Sequence, residues 1–126
     1  MNDFTTPKST DNPLINFDFN KAILKIEGNW FTEIEIGREI TDKLIAYLAK
    51  YFKNPKEKTI INIQLSLLST SYSKLLLEIF KYLETKYNQG YLIEINWFYQ
   101  SDDEDFLETG DDFNAVLKIP LNLCEY

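Results

Sequence analysis

"TIINIQLSLLSTSYSKLLLEIFKYLETKYNQGYLIEINWFY", Thr59 to Tyr99, changes its hydrophobic period twice. Ile61, Ile63, Leu65 and Leu67 alternate with Asn62, Gln64 and Ser66, the period-two pattern of a strand with one buried face. Leu75, Leu76, Ile79, Phe80, Leu83 and Tyr87 then recur at three- and four-residue spacing, which predicts a helix over 71–88. Asn88-Gln89-Gly90 stops it. Period two returns at once, with Tyr91, Ile93, Ile95, Trp97 and Tyr99 on one face and Glu94 and Asn96 on the other. Strand, helix and strand in this order form the unit of a parallel sheet with a right-handed crossover.

The flanking segments extend the unit in both directions. In "INFDFNKAILKIEGNW" a turn at Asn20-Lys21 separates short strands at 14–18 and 21–27. Thr32 and Glu35 form a capping-box pattern. Ile36, Ile40, Leu44, Tyr47, Leu48 and Tyr51 follow as the apolar stripe of a helix over 33–52, broken by "KNPKEK". Beyond Tyr99, Ser101 and Glu104 suggest a second capping box opening a short acidic helix, and a last strand falls near 117–124. Residues 1–13 read as a loose leader to one domain, 14–126. The expected fold is α/β, a mixed sheet of about five strands. Because the central strands are half polar, the helices are expected mainly on one face, that of Ile61, Ile63, Ile93 and Ile95. Strands buried on both faces would be apolar throughout.

With 126 residues, 44% of them hydrophobic and 15% aromatic, the chain can build one real core. A net charge of −7 and a pI near 4.6 disfavour nucleic acid and anionic membranes as partners. No apolar run approaches the ~20 residues of a membrane helix, and the polar start "MNDFTTPKSTDNP" has no apolar signal region. The single cysteine, Cys124, fits a reducing cytoplasm and a place in the core. Trp30 and Phe31, at a strand–helix junction, read as core as well. The chain contains no histidine. That removes Ser-His-Asp and Cys-His catalysis and imidazole metal ligands together, and no cofactor or metal is expected.

Two clusters remain as candidate sites. Ser69, Thr70, Ser71 and Ser73 place four hydroxyls where a strand hands over to a helix. One of them can cap the helix. A helix start is also where a phosphate is best tolerated, because free amides and the dipole favour an anion. A nucleophile is the third reading, but no base accompanies it. The second cluster, Asp102 to Asp112, holds seven carboxylates and no basic residue. It lacks the D-x-D-x-D-G order of a calcium loop. A solvated helix start and a partner-facing surface formed by Asp102, Asp103, Glu104 and Asp105 are both consistent with it.

"LSTSYSKLLLEIFKYLE" resembles the strand–helix junction of the SiaC family of bacterial regulatory phosphoproteins. "INFDFNKAILKIEG" is similar to the family's opening hairpin, "NPKEKTIINIQL" to its second crossover, and "INWFYQSDDEDFLETGDDF" with "IPLNL" to its Trp-aromatic strand, acidic helix and ending. The resemblance spans about residues 6–126. It implies a fold like that of STAS, or anti-sigma-antagonist, domains. It also implies reversible phosphorylation, with a serine/threonine kinase adding the phosphate and a phosphatase of the PP2C type removing it. The unphosphorylated form would bind and control an effector; a diguanylate cyclase is one such effector. The family's acceptor threonine falls on Thr70 and its next serine on Ser71. The family's asparagine is Ser69 here, its following serine is Tyr72 or is displaced to Ser73, and its Pro-Glu-Asn near the first helix is replaced by "FTEIE".

The expected function is therefore a cytoplasmic, non-enzymatic binding protein switched by phosphate on Thr70, with Ser69 and Ser71 as neighbouring hydroxyls. A small-ligand or nucleotide-binding module using the open polar sheet face is the alternative from another class. A carboxylate-dependent hydrolase is a third.

Overall fold

A computed structural model describes residues 1–31 and 33–126. The elements are β1 (Phe4–Thr6), β2 (Leu14–Asp18), β3 (Ile23–Trp30), α1 (Ile34–Tyr51), β4 (Lys58–Leu68), α2 (Thr70–Asn88), β5 (Leu92–Tyr99), α3 (Glu104–Val116) and β6 (Leu121–Glu125). The capping box read from Thr32 to Glu35 rests on Thr32 and lies outside the described residues.

The six strands stand in the order β1-β2-β3-β4-β5-β6. The first two pairings are antiparallel, and β3, β4, β5 and β6 are parallel neighbours. Each of the three crossovers steps one strand onward in the same direction. Crossovers of one hand that never reverse direction must leave their helices on one side of the sheet. The core accordingly lies on one face: Leu24, Ile26, Ile61, Ile63, Ile95 and Trp97 have no exposure beneath the helices. The opposite face carries Asn62, Gln64, Ser66, Glu94 and Asn96, each at least partly exposed.

Four departures from the sequence reading have local causes. The segment read as a loose leader contributes β1, which pairs Thr5 with Asn16 and makes the sheet six-stranded rather than about five. The hairpin turn is four residues long, Phe19 to Ala22, with Ala22 in the left-handed region at φ 56 and the Lys21 amide donating to Asp18 Oδ1 at 3.1 Å. Cys124 is half-buried on the edge strand rather than in the core. The largest departure is on β4, where the register against β3 shifts after Gly28, so that Gly28 pairs with Leu65 but Asn29 with Leu67. The residue between them, Ser66, is the extra one of a β-bulge, and a bulge re-aims the side chains that follow. Leu67 turns out to the open face at 56% exposure, and Leu68 turns inward beside Trp30.

Candidate functional site

Since β3, β4 and β5 run parallel, α1, α2 and α3 all begin at the same end of the sheet. Both sequence clusters lie there. At the start of α2 the four hydroxyls divide into two kinds. Ser69 is the N-cap, in extended conformation, and its Oγ accepts from the Tyr72 amide at 3.3 Å. Ser73 is committed as well, its Oγ donating back to the Ser69 carbonyl at 3.2 Å. Thr70 and Ser71 are exposed, and neither hydroxyl has a hydrogen-bond partner among the described residues. The helix thus starts at Thr70, one residue before the expected 71, and the cap is Ser69.

Tyr72, between these hydroxyls, is 1% exposed. Its ring lies 5.2 Å from that of Trp30 and fills the space above Gly37, where a β-carbon would come within 2.2 Å of Tyr72 Cε1. Its hydroxyl donates to the Glu33 carbonyl at 2.6 Å. The same carbonyl accepts from the amides of Ile36 and Gly37 at 3.1 and 3.2 Å, which opens α1. Glu33 is the N-cap of α1 and makes no side-chain cap. The first turn of α1 is therefore anchored by a tyrosine from α2. Burial pushes the Tyr72 hydroxyl pKa up, so it remains a donor at neutral pH.

The stripe expected along α1 holds from Ile40 to Tyr51 and is displaced by this packing only at its start. Gly37, Thr41, Leu44, Leu48 and Tyr51 are its buried residues, whereas Ile36 is 41% exposed. Tyr72 takes up the volume that an isoleucine would need. Ile34, also 41% exposed, and Phe31, 43% exposed, add to an apolar rim at this end of the fold. Phe31 is thus surface, not core as the sequence suggested; Trp30 is fully buried. Farther down the two helices, Arg38 grips Glu78 through two hydrogen bonds of 2.8 and 2.6 Å, which holds the Glu78 carboxyl below its ordinary range.

At the start of α3 the cap is Asp103, whose Oδ1 accepts from the Phe106 amide at 2.9 Å. The Ser101–Glu104 box does not form, because Asp103 places a carboxylate closer to the free amides than Ser101 can place its hydroxyl. Trp97 stacks on Phe106 with ring centroids 4.4 Å apart and donates its indole N–H to the Phe106 carbonyl at 2.9 Å, so the acidic turn is fixed to β5. Asp102, Glu104 and Asp105 remain exposed and without an ion pair among the described residues.

The open sheet face is closed upon itself. Asn96 donates to Asn62 and Glu94 at 2.9 Å each, Asn122 donates to Asn96 at 3.1 Å, and Lys58 pairs with Glu94 at 2.8 Å. A depression of about 350 Å³, bordered by Lys58, Tyr87, Leu92 and Pro120, opens at the opposite end from Thr70. Among the described residues no group of His, Cys, Asp and Glu side chains is gathered to hold a metal ion, and no helix is long and apolar enough to cross a membrane.

The chain belongs to the SiaC family of regulatory phosphoproteins, whose family profile matches residues 6–126. It is 22% identical over 120 residues to an uncharacterized protein of Pseudomonas aeruginosa (strain UCBPP-PA14), covering 95% of this chain and 94% of that one. Crystalline apo-SiaC from Pseudomonas aeruginosa is similar in fold, with a TM-score of 0.87 at 21% identity over 98% of this chain and 99% of that chain. So is SiaC in the complex in which it is the activator of the diguanylate cyclase SiaD, with a TM-score of 0.89 at 20% identity and the same coverage. The α/β domain with a mixed sheet expected from the sequence agrees with the similarity to these folds. Gly37 and Ile34 were not singled out from the sequence; Tyr72 was read only as a departure from the family's serine, and Leu67 as part of the buried face of its strand. An isolated glycine in the apolar stripe of α1 was the one available signal, since such a glycine marks close packing.

Proposed function

We propose that this protein acts by binding and not by catalysis, as a cytoplasmic signalling protein whose switch is phosphate on Thr70. A serine/threonine kinase adds the phosphate and a PP2C-type phosphatase removes it. The unphosphorylated form binds and controls an effector, and a diguanylate cyclase is the effector class suggested by the SiaD complex. The observation that carries the reading is the division of labour at the start of α2. Two serines are used by the helix, and Thr70 stands exposed between them with its hydroxyl unengaged. A phosphate there meets the free amides of a helix start, so the fold tolerates it. A partner docked over it would desolvate nearly two charges, at a cost on the order of several kcal/mol. At ~1.4 kcal/mol per tenfold, that separates bound from free. Asp102, Asp103, Glu104 and Asp105, at the same end of the fold, form the part of the partner surface that steers association.

The test is to isolate the protein from its own cells and map phosphate by mass spectrometry, in the wild type and in Thr70→Ala. Phosphate on Thr70, and an effector retained by Thr70→Ala but released on phosphorylation of the wild type, is the expected result. Phosphate found only on Ser69, Ser71 or Ser73, or effector binding indifferent to phosphate, overturns the reading.

A further inference from the structure

Only one side-chain hydrogen bond joins the first turn of α2 to the first turn of α1 among the described residues, and Tyr72 makes it. The next link between the helices, Arg38 to Glu78, lies farther along both. We propose that Tyr72 is a positioning residue that carries the phosphorylation state of Thr70 to the first turn of α1, and so to the apolar rim formed by Phe31, Ile34 and Ile36. The inference rests on the Thr70 reading above.

Tyr72 is bonded at both ends. Its backbone amide donates to Ser69 Oγ, the cap of the helix that Thr70 begins, at 3.3 Å. That is long for an N–H···O bond. Its hydroxyl donates to the Glu33 carbonyl at 2.6 Å. A phosphate on Thr70 brings anionic oxygens into the turn where the Ser69 hydroxyl now holds the Tyr72 amide, and an anionic acceptor is about twice as strong as a neutral one. The first turn of α2 must adjust to the new acceptor. A flexible side chain would absorb the adjustment. The Tyr72 ring cannot, because it is packed between Trp30 and the bare backbone of Gly37. Its hydroxyl therefore moves with its backbone and pulls on, or releases, the Glu33 carbonyl. Glu33 makes no side-chain cap, so the Ile36 and Gly37 amides rest on the same carbonyl that the Tyr72 hydroxyl holds. Ile34 and Ile36, exposed in that turn, are displaced with it. The phosphate thus changes the shape of an apolar surface as well as the charge beside it.

The test installs phosphothreonine at position 70 by genetic code expansion, so it does not depend on any kinase. Amide exchange and 15N–1H shifts of Ile36 and Gly37 are compared with and without phosphate, in the wild type and in Tyr72→Phe. The phenylalanine keeps the ring packing and removes the hydroxyl. In the wild type, phosphate should change exchange at Ile36 and Gly37 by about fivefold, the factor equivalent to one ordinary hydrogen bond of ~1 kcal/mol. In Tyr72→Phe that response should fall below about twofold, while the shifts at Ser71 to Ser73 still respond. An equal response of α1 in both backgrounds, or none in the wild type, overturns the proposal. If Tyr72→Phe does not fold, 3-fluorotyrosine at position 72 gives the second measurement: its 19F resonance should move when position 70 carries phosphate, and a resonance that ignores phosphate overturns the proposal. A cell that never phosphorylates Thr70 would defeat the switch reading and leave this coupling measurable.

Discussion

Leu65 and Leu67, two residues apart on β4, face opposite sides of the sheet: Leu65 is 3% exposed and Leu67 56%. The bulge at Ser66 separates them. Leu65→Ala should cost about 2–4 kcal/mol, the usual loss for a buried leucine. Leu67→Ser should stay within about 0.5 kcal/mol of the wild type, as surface substitutions do. Urea denaturation of the two variants checks both values. A large loss at Leu67 would mean that β4 pairs without the bulge in solution.

That pair also marks how far the sequence could be read. The alternation from Ile61 to Leu65 and from Ile93 to Trp97 was legible because hydrophobic period and side-chain direction are tied along a regular strand. Leu67 continued the pattern in letters but not in space, since a bulge leaves no mark in hydrophobicity. Ile36 failed for a related reason. Period alone cannot tell that the neighbouring helix presents a tyrosine, whose ring leaves no room at Gly37 for a larger side chain. β1 is three residues long and gives too little pattern to detect. The four hydroxyls were legible as a cluster. Which one caps and which are free depended on a single residue of helix boundary, below the resolution of any propensity argument.

Gly37→Ala should destabilise by about 1–3 kcal/mol, because its β-carbon would overlap the Tyr72 ring and a packed ring can move only by straining its neighbours. Much of that loss should disappear in the background of Tyr72→Ala, where the ring is gone. A double-mutant cycle measured by chemical denaturation should give an interaction energy above about 0.5 kcal/mol, and additivity would show the two residues to be out of contact.

Glu84 fixes the turn into β6, with its carboxylate accepting from the Lys118 amide and, at 3.4 Å, from the Ile119 amide. The Lys118 amide is the main cause that lowers its pKa, with burial opposing and the Ile119 amide and Lys81 assisting. A carboxyl whose folded pKa is depressed contributes stability above its unfolded value and loses it as pH falls through the folded one. Glu84→Gln should therefore cost about 1.5–3 kcal/mol near pH 7, the range for hydrogen bonds to a charged group. The gap to the wild type should narrow as pH drops below the ordinary 4.5 and through the lowered folded value. A gap that does not change with pH would exclude the ionised carboxylate as its source.

The start of α2 gives the last test. Ser69→Ala should cost ~1 kcal/mol, as loss of an N-cap does, while Thr70→Ala and Ser71→Ala should each cost less than about 0.5 kcal/mol. The hydroxyl with the greatest structural role is thus not the one proposed to carry phosphate. Phosphothreonine at position 70 adds an anion at the positive end of the α2 dipole, where anions contribute about 0.3–1 kcal/mol, so the phosphoprotein should melt no lower than the unmodified chain. That condition matters to the switch. If phosphate worked by unfolding the domain, release of the effector would follow from lost structure, and Ser69→Ala would imitate phosphate in proportion to the stability it removes. If phosphate works by surface charge, Ser69→Ala lowers the melting temperature and leaves effector binding intact, whereas the phosphoprotein keeps its melting temperature and releases the effector. Melting curves and effector titrations on the same three proteins separate the two cases. A phosphoprotein that both melts early and loses its partner would sink the surface mechanism.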